Sequence, residues 1–183
     1  MWNSMKRKRS VRNRRARRCL FLILLVLLAL LLIWPRTVHL EGLVSPYAIL
    51  VDAGSGEAVA EKEADVSIYP ASMTKVMTAL LALEANPDLE QPVTLPEDIF
   101  PELRAEGASM AGFRPGETAT VRDLLYGALL PSGAECCEAL AREVSGSEEA
   151  FVELMNQKAA ELGMRSTHFC NPTGLHDPEH VST

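Results

Sequence analysis

The sequence predicts an α+β domain behind an N-terminal membrane anchor, and three observations carry that prediction. Charge and hydropathy are segregated along the chain. A pair of short β-like runs flanks a glycine-rich turn. Four segments with helical spacing follow, punctuated by proline. Of the 18 Lys and Arg, nine lie between Lys6 and Arg18, and all 24 Asp and Glu lie at or after Glu41. The first 18 residues thus carry +9, and the nine bases and 24 acids from Arg36 onward leave −15. All 11 glycines and 11 prolines also lie at Pro35 or later. The roughly 148 residues beyond the apolar run suffice for one domain of ordinary size. A basic run confined to the terminus of an acidic body argues against nucleic acid as a partner. Four cysteines, Cys19, Cys136, Cys137 and Cys170, are too few for a disulfide-built miniprotein.

Residues 1–18 form a basic n-region, expected on the cytoplasmic side. Cys19–Trp34 is an unbroken apolar run closed by Pro35-Arg36. A basic segment before an apolar core is the mark of an export signal. As a helix the run spans roughly 24 Å, slightly short of the ~30 Å hydrocarbon core. Arg17 and Arg18 can snorkel to the headgroups at one end, and Trp34 suits the other interface. No small-x-small cleavage site follows, which favours an uncleaved single-pass anchor over 19–35, with the body outside the membrane, over a cleaved signal peptide and secretion. Residues 36–44 then read as a linker to a domain over 45–183.

Within the body, Ala48–Asp52 and Glu57–Glu61 read as a hairpin around Ala53-Gly54-Ser55-Gly56. Residues Ser72–Ala85 show helical spacing, with Val76, Met77, Leu80, Leu81 and Leu83 apolar. Pro87, Pro92, Pro96 and Pro101 exclude long helices from Asn86 to Glu102. Thr120 is placed to cap a helix over Val121–Leu130, stopped by Pro131. Gly133–Val144 and Ser147–Leu162 read as two more, with Gly163 just past the last. Residues 164–183 show no period and contain a Pro172-Thr173-Gly174 turn.

One constellation carries chemistry. Ser72-Met73-Thr74-Lys75 opens a helix after Pro70-Ala71. Residues three apart on a helix share a face, with Cβ atoms ~5–6 Å apart. The Lys75 amine can then reach the Ser72 hydroxyl, which needs an adjacent base to be a useful nucleophile. The helix N-terminus favours the negative charge that develops on attack. To act as base, Lys75 must be neutral when needed, which calls for desolvation or a nearby cation. A second serine, Ser132, follows Leu129-Leu130-Pro131 in a turn between two helices.

Taken together, Pro70-Ala71-Ser72-Met73-Thr74-Lys75 and Pro131-Ser132-Gly133-Ala134-Glu135 resemble the penicillin-recognising serine enzymes, whose motifs are Ser-x-x-Lys, Ser-x-Asn and Lys-Thr-Gly. Within that group the chain looks most like the D-alanyl-D-alanine carboxypeptidases of the low-molecular-mass penicillin-binding proteins. The resemblance runs over residues 45–183. It takes in Tyr47–Asp52, Met110-Ala-Gly-Phe-Arg-Pro-Gly-Glu117, Leu124–Ala139 and Leu162–Leu175. It implies a β-lactamase/transpeptidase-like α+β fold, an antiparallel sheet with a helical subdomain. It implies Ser72 as the acylated nucleophile, Lys75 as its base and Ser132 as the proton relay, with the Ser72 N–H as half of an oxyanion hole. The implied substrate is a peptidoglycan stem peptide ending in D-Ala-D-Ala, with β-lactam antibiotics as acylating inhibitors. No metal or other cofactor is implied.

Two departures from the pattern matter. Ala134 stands where the family has Asn, which puts substrate positioning in doubt, because Glu135 leaves from a different face of its helix. There is no Lys-Thr-Gly; Lys158 is followed by Ala159-Ala160. In the family that motif lies on a strand beyond the region matching Val181-Ser182-Thr183. By resemblance, then, the domain is incomplete at its C-terminus and is expected to be catalytically poor as it stands. Loss of one oxyanion donor costs ~10²–10³ in rate. The alternative is a non-catalytic envelope protein that keeps the surface for binding; a β-lactamase, which shares the tetrad, would turn the antibiotic over.

His168, Cys170, His176 and His180 lie within 13 residues, a grouping that invites a zinc reading. Against it, no Cys-x-x-Cys pair exists, and the adjacent Cys136 and Cys137 diverge by ~100° on a helix. A disulfide between Cys170 and one of that pair is an open alternative outside the cell.

Overall fold

The computed structural model describes residues 42–183 together with Leu25, Val38 and Leu40. The basic run over 1–18 and, apart from Leu25, the expected anchor over 19–35 lie outside the described residues. No helix among the described residues is long and apolar enough to cross a membrane. The chain divides into two compact units, Met1–Glu63 and Ala64–Thr183.

The described part of the first unit is the expected hairpin. Strand β1 (Ala48–Val51) pairs antiparallel with β2 (Ala58–Lys62), in register from Ala48 opposite Lys62 to Leu50 opposite Ala60. Asp52 nucleates the turn by accepting the Gly54 and Ser55 N–H groups on Oδ1, at 2.9 and 2.8 Å. Gly56 completes it at φ +74°, a conformation that costs a side-chain-bearing residue.

The second unit is helical around a central helix. After a 3-10 turn at Ala71–Met73, helix α1 runs Thr74–Ala85. Helix α2 (Ile99–Ala105), α3 (Val121–Leu129), α4 (Ala134–Ser145) and α5 (Glu148–Glu161) follow. The helix expected from Thr120 is present with a full capping box: Thr120 Oγ1 accepts the Asp123 N–H at 3.1 Å, and the Asp123 carboxylate accepts the Thr120 N–H at 3.2 Å. Ser147 caps α5 through the Ala150 N–H at 3.2 Å. Helix α4 packs against α1, α2, α3 and α5, so every residue from Ala134 to Ala141 is buried. Leu124, Leu140, Phe100 and Leu95 fill one apolar cluster beside it; Phe151, Met155, Met77 and Leu81 fill a second.

Three short elements are absent from the sequence reading. Strand β3 (Pro92–Thr94) pairs antiparallel with β4 (Thr118–Thr120), Pro92 opposite Thr120. Pro92 is tolerated because it opens the strand and its missing N–H removes no interior ladder bond. Helix α2 survives Pro101 because that proline sits in its first turn, where the N–H has no intrahelical partner. Residues 164–183 form no regular element, but they are tied down by backbone bridges between Ile68 and Ser182 and between His168 and Val181.

The all-round burial of α4 carries two carboxyl groups, Glu135 and Glu138, into the interior. Burial, reinforced by Glu148, pushes the Glu138 carboxyl up from 4.5 to about 8. A folded-state value above the unfolded one means that this group's contribution to stability is fully present below about pH 4.5 and is lost as pH rises through about 8. Thermal unfolding followed from pH 5 to 9 in metal-free buffer is therefore expected to show Tm falling with pH, and Glu138→Gln is expected to flatten that fall. An equally steep fall in Glu138→Gln would assign it to other groups.

Candidate active site

Ser72 and Lys75 are brought together as the spacing requires. Ser72 is exposed on the 3-10 turn that feeds α1, and Lys75 lies one turn on, with 4% of its surface accessible. Lys75 Nζ donates to Ser72 Oγ at 3.2 Å. Ser132, from the loop between α3 and α4, donates its hydroxyl to the same Ser72 Oγ at 2.7 Å. All three expected residues thus meet on one oxygen.

Two of the segments that converge here hold strained backbone. Ser132 sits at φ +65° and Ala71, next to Ser72, at φ +47°. Such conformations cost about 1–3 kcal/mol for a non-glycine residue and persist only where the surroundings over-determine them. For Ser132, Gly133 N donates to the Gly127 carbonyl and Ala134 N to the Ser109 carbonyl, both at 2.8 Å, which aims the Ser132 side chain back at Ser72. For Ala71, the constraint is Gly174, whose φ is +78° and whose Cα lies so close that any Cβ would overlap the Ala71 carbonyl.

The turn that contains Gly174 also holds Lys75. Asn171 Oδ1 accepts the Thr173 and Gly174 N–H groups, at 3.1 and 2.7 Å, and the Thr173 hydroxyl at 2.9 Å. That side chain shapes Pro172-Thr173-Gly174 into a rigid turn whose carbonyls point at α1. Lys75 Nζ donates to the Thr173 carbonyl at 2.5 Å, and the Thr78 hydroxyl donates to the Pro172 carbonyl at 2.6 Å. A third tie comes from His180. Its Nδ1 accepts the Cys170 N–H at 3.1 Å, so the ring proton sits on Nε2, which donates to Thr74 Oγ1 at 2.8 Å. Burial holds this imidazole below the ordinary histidine range, which keeps it neutral in that role.

Burial likewise lowers the Lys75 amine below its ordinary 10.5, opposed in part by Cys137 and Glu135. The arrangement suits a base. A neutral amine retains two N–H bonds, enough to hold the Thr173 carbonyl while its lone pair faces Ser72. The exposed serine is then flanked by a group able to accept a proton on one side and by a second hydroxyl on the other.

Ala134, buried at the first position of α4, has no polar side chain to offer the site. Glu135 does not replace it. Its Oε1 accepts the Ala111 and Gly112 N–H groups, at 2.7 and 2.9 Å, and so anchors the loop that precedes Phe113. The remaining candidates do not assemble. His168 engages Val181 through its backbone, His176 meets the Tyr69 ring edge-on at 4.8 Å, and His180 caps Thr74. Among the described residues no three His, Cys, Asp or Glu side chains converge at metal-binding distance. Cys136, Cys137 and Cys170 are free thiols, so the disulfide left open by the sequence is not formed. Asn171, Thr173 and His180 position the site, a role the sequence did not show: Thr173 was legible only as part of a turn and His180 only as a zinc candidate. The one available signal was the Asn-Pro-Thr-Gly string, which has the composition of an Asx turn.

Residues 36–183 match the family model of the D-alanyl-D-alanine carboxypeptidases, peptidase family S11. The chain is 38% identical over 136 residues to D-alanyl-D-alanine carboxypeptidase DacF of Bacillus subtilis, covering 74% of this chain and 35% of that one. It is 41% identical over 156 residues to D-alanyl-D-alanine carboxypeptidase DacC of Escherichia coli, covering 81% and 38%. The chain therefore spans little more than a third of the length of these curated relatives. Among solved structures, a point mutant of the Streptomyces K15 DD-transpeptidase superposes with a TM-score of 0.73 at 32% identity, over 76% of this chain and 56% of that one. Penicillin binding protein 6B from Escherichia coli superposes with a TM-score of 0.74 at 28% identity, over 81% and 49%. The α+β fold expected from the sequence is the fold of these neighbours.

The Gly174 contact gives a direct test of the turn. Gly174→Ala adds a Cβ against the Ala71 carbonyl at a φ that alanine resists. It is expected to cost more than ~1 kcal/mol in denaturant unfolding, and to disturb the Ser72–Lys75 pair from a position that touches neither. An unchanged unfolding midpoint would show that the turn is not held as described.

Proposed function

Because the chain belongs to the D-alanyl-D-alanine carboxypeptidase family, we propose that it is a serine-type D-Ala-D-Ala carboxypeptidase acting on peptidoglycan stem peptides, acylated at Ser72. The observation that carries this reading is the convergence of Lys75 Nζ and Ser132 Oγ on Ser72 Oγ. Ser72 Oγ attacks the carbonyl carbon of the penultimate D-Ala, and neutral Lys75 takes its proton. The C–N bond to the terminal D-Ala breaks as the leaving nitrogen is protonated through Ser132. Water then hydrolyses the ester, with Lys75 as general base. The α1 N-terminus favours the tetrahedral oxyanion during both steps. β-Lactam antibiotics would acylate the same serine, and slow deacylation, rather than turnover, would separate this protein from a β-lactamase.

The apolar run over 19–34 would place the domain on the outer face of the cell membrane, within reach of the cell wall. A non-catalytic envelope role is favoured by one observation, the missing amide at Ala134. The two readings divide on acylation. In native membranes exposed to fluorescent penicillin, the protein is expected to be labelled, and Ser72→Ala is expected to abolish the label. Absence of label from the expressed wild-type protein would select the non-catalytic reading.

The pH dependence follows from Lys75. The amine must be neutral to accept the Ser72 proton, and burial lowers it below 10.5. The acylation rate is therefore expected to rise with pH along a limb whose midpoint lies below 10.5. Glu135→Gln removes a negative charge that opposes the lowering, and should shift this limb toward lower pH. A limb that does not move, or that moves upward, would remove Glu135 from the electrostatics of the base.

A further inference from the structure

The His180 tie between the Cys170–Gly174 segment and α1 is a link that a single proton can break. The ring is 2% exposed. Its Nδ1 accepts the Cys170 N–H at 3.1 Å while Nε2 donates to Thr74 Oγ1 at 2.8 Å. Only a neutral ring can do both, because an imidazolium carries a proton on each nitrogen and accepts nothing. On protonation the Cys170 N–H would face another N–H, and a buried donor without an acceptor bears its full desolvation cost. The ring cannot swing aside to relieve that conflict, because its backbone is held on either side. The His180 N–H donates to the Asp177 carbonyl at 3.1 Å, and Val181 exchanges both backbone bonds with His168, at 2.9 and 3.0 Å. The conflict therefore falls on Cys170 and on the turn after it. There Asn171 Oδ1 holds Thr173 and Gly174, and the Thr173 carbonyl holds Lys75 Nζ.

Burial disfavours the charged ring; Asp177 opposes that effect and His168 adds to it. The Asp177 carboxylate is already occupied by the Glu179 N–H at 2.7 Å and the Cys170 thiol at 3.4 Å. From α1 the ring meets Thr74, with Lys75 next along the helix, and the Phe169 ring meets it edge-on with centroids 5.6 Å apart. We propose that His180 is an acid-sensitive latch: protonation of its ring frees the Cys170–Gly174 turn, withdraws the Thr173 carbonyl from Lys75, and so disarms Ser72 from a residue that touches neither. Its catalytic consequence rests on acylation at Ser72; the latch itself does not. Because burial lowers the imidazole from 6.5, the latch is intact above that pH and is lost as pH falls below it. Lys75 alone gives an acylation rate that falls about tenfold per pH unit on the acid side of the amine's midpoint. The latch multiplies this by the neutral fraction of His180, so below the His180 midpoint the fall steepens to about a hundredfold per unit.

The test uses the full chain in detergent, isotope-labelled at the histidine ring and cysteine amide nitrogens and titrated through the acid range. The His180 ring is expected to show the Nε2–H tautomer when neutral and to titrate with a midpoint below 6.5. The Cys170 amide should shift with the same midpoint and lose roughly tenfold or more of its protection from exchange. The rate of acylation by fluorescent penicillin should show the steeper limb below that midpoint. His180→Gln keeps an acceptor and a donor but does not titrate, so its Cys170 shift should vanish and its slope should stay at about tenfold per unit. His180→Phe should lose Cys170 protection at every pH. An Nδ1–H tautomer, a ring that stays neutral throughout, or a Cys170 amide indifferent to the ring's titration would overturn the latch. A slope that steepens equally in His180→Gln would overturn its link to Ser72. If no form of the protein is labelled at any pH, the acylation reading fails and the ring and amide still decide the latch. If His180→Gln does not fold, the wild-type ring and amide decide it alone.

Discussion

The site depends on the grip that one irregular turn keeps on the first two turns of α1. Lys75, Thr78 and Thr74 are bonded in succession to the Thr173 carbonyl, the Pro172 carbonyl and His180. These contacts bury the Lys75 amine while giving it an acceptor, and the two effects differ in kind. Burial weakens the charged form, whereas the single carbonyl acceptor is satisfied by either protonation state of the amine. The Lys75 amine is therefore held in place without being locked in its charged form. An ion pair at the same position would have held it equally well and disabled it.

The grip works only because the chain tolerates strain beside Ser72. Ala71 and Ser132 both adopt positive φ, and each is forced into it by a close approach of backbone: Gly174 under Ala71, and the Gly133 and Ala134 amides bonded to neighbouring carbonyls. Helix α4 links these constraints. Its N-terminus carries Ser132, its first turn sends Glu135 to the Ala111–Gly112 amides, and its buried middle supports both apolar clusters. Because α4 touches four other helices, the serine is mounted on the most constrained element of the unit.

What the sequence made legible follows from range. Ser72 and Lys75 are three apart, a separation at which helix geometry alone guarantees contact. Thr120, Pro131 and Gly163 mark helix ends by local chemistry, so those boundaries were read to within a residue or two. Ser132 was placed by resemblance, and its contact with Ser72 across 60 positions is not written in any local pattern. The turn partners were missed for the same reason. Thr173 and His180 reach α1 across 98 and 106 positions, in a segment with no periodicity to show which side chains face inward. Strands β3 and β4 were missed because three residues cannot establish a period of two, and Pro92 reads as a breaker unless the strand is known to begin there.

The substitution at Ala134 separates two tasks that an asparagine at that place would combine, steadying the base and meeting the substrate. The first is covered here by other atoms, since the Thr173 carbonyl and Ser72 Oγ already fix Lys75. The second is not, because Ala134 is buried and apolar, and Glu135 points instead toward the Ala111–Gly112 loop, its Oε1 accepting backbone amides 23 and 24 positions away and its Oε2 buried without a partner among the described residues. The departure thus falls on recognition of an extended peptide rather than on activation of the serine. On the proposed reading, a strained β-lactam ring, which needs less positioning to react, would depend less on the missing amide than a stem peptide would. On that reading the geometry at Ser72 and the chemistry at position 134 bear on different steps, and the contacts that Lys75 and Ser132 make with Ser72 are no measure of how well a peptide would be held.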